Sequence, residues 1–227
     1  MKHSNTHNIY IVLSQTETGF ARVLRTVGNL NYNHAAISLD KDLKELYAFA
    51  RTEQYGYLTA RLVRETTDRY LINAQDGIPI LVYQIPVTKK QLNWVRSTIN
   101  EIMVDPKYMY NLFSVLTYPI FGGFTTYKAF SCIEFVAYIL DHLGYDIGDS
   151  LPQCRPDDLR SILADYLYFD GNLLDYISER TTSENYFRPL TVSLMCSTVI
   201  ATIVLLYRSI PALLHFIRNK TKIEFPI

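Results

Sequence analysis

The sequence predicts an α+β fold in which an antiparallel sheet packs against a helix bearing a cysteine, with a separate apolar helix at the C-terminus. Three features indicate this fold. Short β-branched and aromatic runs alternate with turn residues, two segments carry apolar residues at helical spacing, and a long uncharged segment occurs near the C-terminus. The chain has 227 residues, which suits one domain with an appendage.

Composition excludes several classes of protein. Apolar residues make up 48% and charged residues 19%, which is unlike a disordered chain or a polytopic membrane protein. Lys and Arg number 22, as do Asp and Glu, so bulk charge gives no reason to expect nucleic acid binding. The cysteines Cys132, Cys154 and Cys196 form no C-x-x-C pair. We therefore expect no metal site, disulfide framework or cofactor.

The first half of the chain is predicted to form the sheet. In the run at 31–40, Ala35 and Ile37 share one face, whereas His34 points to the other face. The turn at 40–44 then joins this run to the next one as a hairpin. Strands are predicted at residues 8–13, 31–40, 45–51, 57–63 and 78–87.

Two helices carry clear boundary signals. The helix at 88–104 has regular apolar spacing and stops before Pro106. The next helix has Ser131 as its N-cap, Glu134 three residues later to complete a capping box, and Gly144 as its C-cap. Shorter helices are predicted at 18–28 and 157–166, with an aromatic loop at 107–130.

A membrane anchor is predicted at residues 189–207. These 19 residues carry no charge, and a helix of that length falls just short of the roughly 30 Å hydrocarbon core. Aromatic and basic residues flank the segment at both ends, as is typical of membrane interfaces. We expect one transmembrane helix projecting from a domain at 1–178, after a linker at 179–188 and before a basic tail at 208–227.

Two alternatives to this anchor remain open, and two features of the sequence predict opposite orientations for it. The segment also suits a buried C-terminal helix, and residues 210–217 suit a helix lying along the membrane interface. Four basic residues follow the segment and two precede it, which favours a cytoplasmic tail. The N-terminus lacks the features of a secretory signal. We therefore predict a single-pass membrane protein with its domain in the cytoplasm.

Cys132 and His34 are the candidate catalytic pair. Cys132 occupies the first turn of its predicted helix, where free amide groups and the helix dipole stabilise a thiolate or an oxyanion. His34, on a predicted strand, has the residue type of a general base. Residue type alone favours a structural role for each, since buried cysteine is usually inert.

Motifs around these residues favour catalysis. Tyr32-Asn33-His34 precedes Cys132-Ile133-Glu134-Phe135-Val136, and Pro156-Asp157-Asp158 follows. Over residues 8–178, these motifs in this order resemble the circularly permuted papain-like branch of the NlpC/P60 superfamily. They are most similar to bacterial proteins related to the YiiX-type hydrolases, within the same branch as the lecithin:retinol acyltransferase type.

The resemblance implies a papain-like fold and a thiol-dependent hydrolase or acyltransferase. His34 would deprotonate Cys132, which would attack an amide or ester carbonyl to form an acyl-enzyme. A residue orienting the imidazole is expected on the strand after His34, where Glu45 and Tyr47 are the candidates, and Gln15 is a possible oxyanion donor. Relatives cut muropeptides or other peptides, or transfer fatty acyl chains of lipids. The predicted anchor favours lipids.

A second class of function fits the same sequence. The chain is alternatively a catalytically idle membrane scaffold that keeps the fold for binding. The absence of an obvious orienting residue supports this alternative, because an imidazole without one catalyses less well.

Overall fold

The computed structural model describes residues 7–17, 31–56, 59–148, 150–183 and 185–221. Within these ranges the chain forms an α+β fold with an antiparallel sheet and a C-terminal apolar helix, as the sequence predicts. The short helix predicted at 18–28 lies outside the described residues.

Six strands of the described part form the main sheet, and all of its neighbouring strands are antiparallel. In chain order they are β1 (His7–Ser14), β2 (His34–Ser38), β3 (Leu46–Arg51), β4 (Ala60–Glu65), β5 (Pro79–Val87) and β8 (Leu167–Asn172). Their spatial order is β4-β3-β2-β1-β5-β8. A separate parallel pair joins β6 (Met109–Tyr110) to β7 (Ala129–Phe130). No residue pattern predicted β8, because this edge strand buries no complete face.

The two capped helices form as predicted. Ser131 and Glu134 make a reciprocal capping box at the start of the cysteine helix, and Thr88 does the same with Gln91 at the other helix. The predicted loop at 107–130 instead contains two short helices. The helices are α1 (Thr67–Tyr70), α2 (Lys89–Val104), α3 (Leu112–Leu116), α4 (Tyr118–Phe121), α5 (Cys132–His142), α6 (Pro156–Ile162), α7 (Leu173–Tyr176) and α8 (Val192–Thr221).

The sheet buries both of its faces. On the larger face, Ala35 and Ile37 pack in a cluster with apolar residues of α2, α5 and α6. On the other face, Ala36 packs with residues of α1 and α7, including Tyr70 and Leu173. The alternation predicted for β2 therefore holds, and α5 carries Cys132 against the larger face.

Helix α8 contains a stretch long and apolar enough to cross a membrane. Val192–His215 has a mean hydropathy of 1.7, and only 11% of its most apolar window is buried. This property is shared with core helices and signal sequences, so length and composition alone indicate membrane association only weakly. The helix continues through Arg208 and reaches Thr221, so it includes part of the predicted basic tail.

Helix α8 lies along the domain, contrary to the projecting helix that we expected. Leu205 and Ser209, one turn apart, are buried, and Leu194 lies beside Gly56. The Arg208 Nη1 atom donates a hydrogen bond of 2.7 Å to the Lys107 carbonyl oxygen. A row of residues on one face of the helix therefore packs on the domain. The lack of charged residues in the segment gave no indication of this packing.

The segment predicted as a linker is also packed on the domain. We call residues 181–183 and 185–187 of this segment the strap. Thr67 and Thr181 exchange two hydrogen bonds, each from a backbone amide to the partner's hydroxyl oxygen, of 2.9 and 2.8 Å. The Gln54 amide donates to the Tyr186 carbonyl oxygen over 2.8 Å. The strap is thereby fixed against α1 and the turn after β3.

Candidate active site

Cys132 is the first residue of α5, and its position is fixed by the capping box. The Glu134 amide donates to the Ser131 hydroxyl over 3.1 Å, and the Ser131 amide donates back to the Glu134 carboxylate. The cysteine is only 4% exposed. The Ala35 amide of β2 lies near the sulfur and lowers the pKa of the thiol, so the start of the helix lies against the sheet.

The His34 imidazole lies between a thiol and a carboxylate. His34 begins β2, where it pairs with Ser14 of β1. Its side chain is within hydrogen-bonding reach of the Cys132 thiol. Its Nε2 atom lies 2.8 Å from Oε2 of Glu65. The structure thus brings together the two residues of the predicted pair and adds a third.

Glu65 ends β4 and is held by its own following helix. The Tyr70 hydroxyl donates to the Glu65 Oε2 atom over 2.5 Å, and the Arg69 Nη2 atom lies 3.6 Å from Oε1. Because α1 starts two residues after β4, Arg69 and Tyr70 turn back onto the carboxylate. The Glu65 side chain is only 5% exposed, so a histidine, an arginine and a tyrosine replace water around it.

Electrostatics favour an ionised Glu65 and a protonated His34. Burial raises the pKa of Glu65, but His34, Arg69 and the Tyr70 hydrogen bond outweigh it and lower the pKa to about 2. Burial likewise lowers the pKa of His34, yet Glu65 and Cys132 raise it above its ordinary value. A charge-assisted hydrogen bond between imidazolium and carboxylate therefore stabilises both ionised forms.

The same imidazole favours the thiolate of Cys132. Burial raises the pKa of the thiol, but His34, the Ala35 amide and the Tyr110 hydroxyl lower it to below its ordinary value. Tyr110 lies on β6 and stays protonated, because burial and the adjacent sulfur raise the pKa of its hydroxyl. Cys132 and His34 thus suit a thiolate–imidazolium pair, the reactive form of a cysteine nucleophile.

The expected orienting residues lie elsewhere. Tyr47 pairs with Ile37, and the Glu45 carbonyl oxygen accepts from Leu39. Both positions therefore lie beside the end of β2 remote from His34. Glu45 instead forms an ion pair of 3.4 Å with Arg96 of α2. Tyr47 packs against the larger core cluster. Tyr47 shares the face of its strand partner Ile37, which is opposite to the face of His34. Glu45 is engaged by Arg96, so neither residue orients the imidazole.

Glu65 was missed because local sequence carries no sign of its contact. It pairs with Leu46 across the strands, so it is not a direct cross-strand neighbour of His34, and the two side chains meet only at their ends. The available signal was a glutamate at a strand end followed by Arg69 and Tyr70. That pattern does not indicate which histidine the carboxylate meets.

Gln15 lies next to the strand residue that pairs with His34. It follows Ser14, the strand partner of His34, and its amide donates to the Pro79 carbonyl oxygen over 3.0 Å. The next residue, Thr16, makes hydrogen bonds of 3.0 Å with Asn33. The turn that carries Gln15 is therefore fixed beside the start of β2.

A second buried carboxylate lies behind Cys132. Glu134 accepts a hydrogen bond of 3.0 Å from the Asn111 side-chain amide. Burial raises the pKa of Glu134 to about 6, although hydrogen bonds from Ser131 and Asn111 act in the opposite direction. The Asn111–Glu134 contact joins the segment after β6 to α5, which holds Tyr110 near the sulfur.

Other candidate groups lie away from this constellation. Burial and Asp158 raise the pKa of the Cys154 thiol to about 12, so this thiol stays protonated. Cys196 is exposed on α8. Among the described residues, no group of three His, Cys, Asp or Glu side chains is arranged to hold a metal ion. A groove lined by residues 143–146 lies at the opposite end of α5 from Cys132.

Comparisons with known protein families, curated proteins and solved structures found no match to this chain. The likeness to the permuted papain-like branch therefore stays a prediction based on the motifs themselves. The candidate site is defined by the contacts among Cys132, His34 and Glu65.

Proposed function

We propose that this protein is a cysteine hydrolase or acyltransferase that acts on an amide or ester bond through Cys132, His34 and Glu65. The observation that carries the proposal is the position of the His34 imidazole between the Cys132 thiol and the Glu65 carboxylate. A nucleophile, a base and a group that orients the base are the three parts that acyl transfer requires.

The reaction begins with the thiolate–imidazolium pair. The Cys132 sulfur attacks the acyl carbonyl carbon, and the carbonyl electrons move onto oxygen to give a tetrahedral oxyanion. When this intermediate collapses, the bond to the leaving amine or alcohol breaks and the His34 imidazolium gives that group its proton. His34 then takes a proton from water or a second acceptor, which attacks the thioester and regenerates the thiolate.

Two kinds of donor suit the oxyanion. The first amides of α5 have no intrahelical acceptor, and they lie in the same turn as the sulfur. The Tyr110 hydroxyl lies beside the sulfur and lowers the pKa of the thiol. We assign the oxyanion to these neutral donors, because fixed dipoles in a buried site stabilise developing charge strongly.

The substrate that we favour is a lipid acyl group, because an apolar helix lies on the same domain. We propose that α8 binds the membrane with its exposed face while its other face rests on the domain. Leu194 and Arg208 contact the domain on either side of residues 195–207. That intervening stretch spans about 20 Å, whereas a bilayer core is about 30 Å thick. An interfacial helix fits these contacts better than a spanning helix.

Acylation of Cys132 tests the proposal directly. The full chain, in lipid nanodiscs, is treated with p-nitrophenyl acetate and p-nitrophenyl octanoate, and the acyl mass on each cysteine peptide is measured. We expect acylation of Cys132 in the native protein, none at that position in Cys132→Ala, and no change in Cys154→Ala. An unacylated Cys132 with ordinary thiol reactivity would favour the idle scaffold.

A second measurement identifies the substrate class. Lipid extracts and muropeptides are incubated separately with the native protein and with Cys132→Ala, and released fatty acids or peptides are measured by mass spectrometry. We expect Cys132-dependent release from lipids. Release from muropeptides alone would retain the enzyme and overturn the lipid assignment.

A further inference from the structure

We infer that the strap positions the active-site carboxylate, with Tyr186 and Arg69 as positioning residues for Glu65. This inference rests on the proposed function, since it assigns roles to residues that act through Glu65 on His34 and Cys132. Arg69 lies between the strap and Glu65, so the strap acts through the arginine.

The strap is attached to α1 through Thr181 and Ser183. Besides the two bonds between Thr67 and Thr181, the Asp68 amide donates to the Thr181 carbonyl oxygen over 3.1 Å. The Ser183 amide donates to the Asp68 Oδ2 atom over 2.9 Å. These bonds join residues more than a hundred positions apart in sequence, and they bring Tyr186 over the helix that carries Arg69.

Tyr186 covers the Arg69 guanidinium. The Arg69 Cζ atom lies 4.0 Å from the centre of the Tyr186 ring, and the two residues are 8% and 3% exposed, respectively. The Arg69 Nη2 atom also donates to the Arg51 carbonyl oxygen. Among the described residues, its buried Nε atom has no hydrogen-bond partner. The ring face thus takes the place of water on one side of this cation.

This arrangement strengthens the effect of Arg69 on Glu65. A guanidinium shielded from water interacts more strongly with a carboxylate 3.6 Å away than an exposed guanidinium would. Removal of the Tyr186 ring admits water and frees the arginine side chain. A mobile arginine holds the Glu65 carboxylate less firmly against the His34 imidazole. The imidazolium is then stabilised less, and it in turn stabilises the Cys132 thiolate less. The pKa of Cys132 should therefore rise.

The experiment measures the pH dependence of Cys132 alkylation by iodoacetamide in the full chain, with the Cys132 peptide followed by mass spectrometry. In Tyr186→Ala we expect the acid limb to move up by about 0.5 to 1 pH unit, a three- to tenfold slower reaction on that limb. Tyr186→Phe keeps an aromatic face over the guanidinium, so its profile should match that of the native protein.

Two further comparisons separate positioning from general stability. Tyr176→Ala removes a tyrosine that packs against the core cluster on the Ala36 face of the sheet, and it should lower stability without moving the acid limb of the alkylation profile. If Tyr186→Ala does not fold, Tyr186→Leu replaces it, and the same upward shift is expected. Arg69→Gln should also move the acid limb of the alkylation profile to higher pH. In the double variant Arg69→Gln with Tyr186→Ala, the limb should lie where it does in Arg69→Gln alone.

The outcomes are distinct. An unchanged limb in the Tyr186→Ala and Tyr186→Leu proteins, or full additivity with Arg69→Gln, would overturn the positioning role and leave the proposed enzyme intact. An ordinary thiol pKa for Cys132 in the native protein would overturn both. A shift shared by the Tyr186 and Arg69 variants and absent from Tyr186→Phe supports the inference.

Discussion

Glu65 is the single residue whose charge is expected to matter most to the reaction. Glu65→Gln removes the carboxylate that raises the pKa of His34, while the side chain keeps its size. We expect the rate of Cys132 acylation at neutral pH to fall on the order of a hundredfold. The matched control is Glu45→Gln, which loses only an exposed ion pair with Arg96. Equal losses in the two variants would contradict the orienting role of Glu65.

Glu134 is expected to make the free energy of unfolding depend on pH in the mildly acidic range. Its pKa is raised from 4.5 to about 6, so the folded state holds this proton more tightly than the unfolded state. The free energy of unfolding should therefore fall as pH rises from about 4.5 to about 6, by about 2 kcal/mol at most. The lowered pKa of Glu65 acts oppositely and below this range, since its contribution is lost as pH falls from 4.5 to about 2.

Denaturant unfolding of Glu134→Gln checks this prediction. The variant cannot ionise at position 134, so its free energy of unfolding should lack the decrease between pH 4.5 and 6 that the native protein shows. Asp158→Asn, at a carboxylate on α6 that caps its own helix, is the control and should keep the decrease. Parallel pH profiles for the native protein and Glu134→Gln would show that Glu134 titrates normally.

At the scale of elements, α8 is expected to separate its two faces by function. Val199 and Ile203 lie one turn apart and are 58% and 61% exposed. Val199→Lys with Ile203→Lys should weaken membrane binding, because each charge moved into hydrocarbon costs about 3 kcal/mol. The domain should stay folded, since neither side chain packs on it.

Vesicle flotation and alkaline carbonate extraction measure this effect. The native protein should float with vesicles and be released by carbonate, as expected of an interfacial helix. The double lysine variant should stay at the bottom of the gradient. Leu167→Lys, at a leucine 47% exposed on β8, is the control and should float. Resistance of the native protein to carbonate would support a spanning helix instead.

For the whole molecule, the strap is expected to be part of the folding unit. Two shortened chains, ending at residues 178 and 190, both lack α8 and differ only by the strap and its neighbours. The longer chain buries Tyr186 and makes the Thr67–Thr181 hydrogen bonds. We expect it to be more stable by about 3 kcal/mol. Equal denaturation midpoints would show that residues 179–190 are only a linker.

Several parts of the fold could be predicted because their causes lie within a few residues. The capping box of Ser131 and Glu134 and the apolar spacing of α2 act over single helical turns. Likewise, the alternation of Ala35 and Ile37 with His34 reflects the two-residue repeat of a strand. The same local rules placed Cys132 in the first turn of α5, where the structure has it.

Contacts between distant residues could not be predicted in this way. His34 and Glu65 are 31 positions apart, and which carboxylate reaches the imidazole depends on strand register and on where α1 turns the chain. By itself, the sequence determined the α+β class, the capped helices and the cysteine's place at a helix start, because these follow from local periodicity and capping. Only the tertiary structure decided the partner of His34, the packing of α8 and the attachment of the strap. Those contacts arise from side chains that many elements must first bring together.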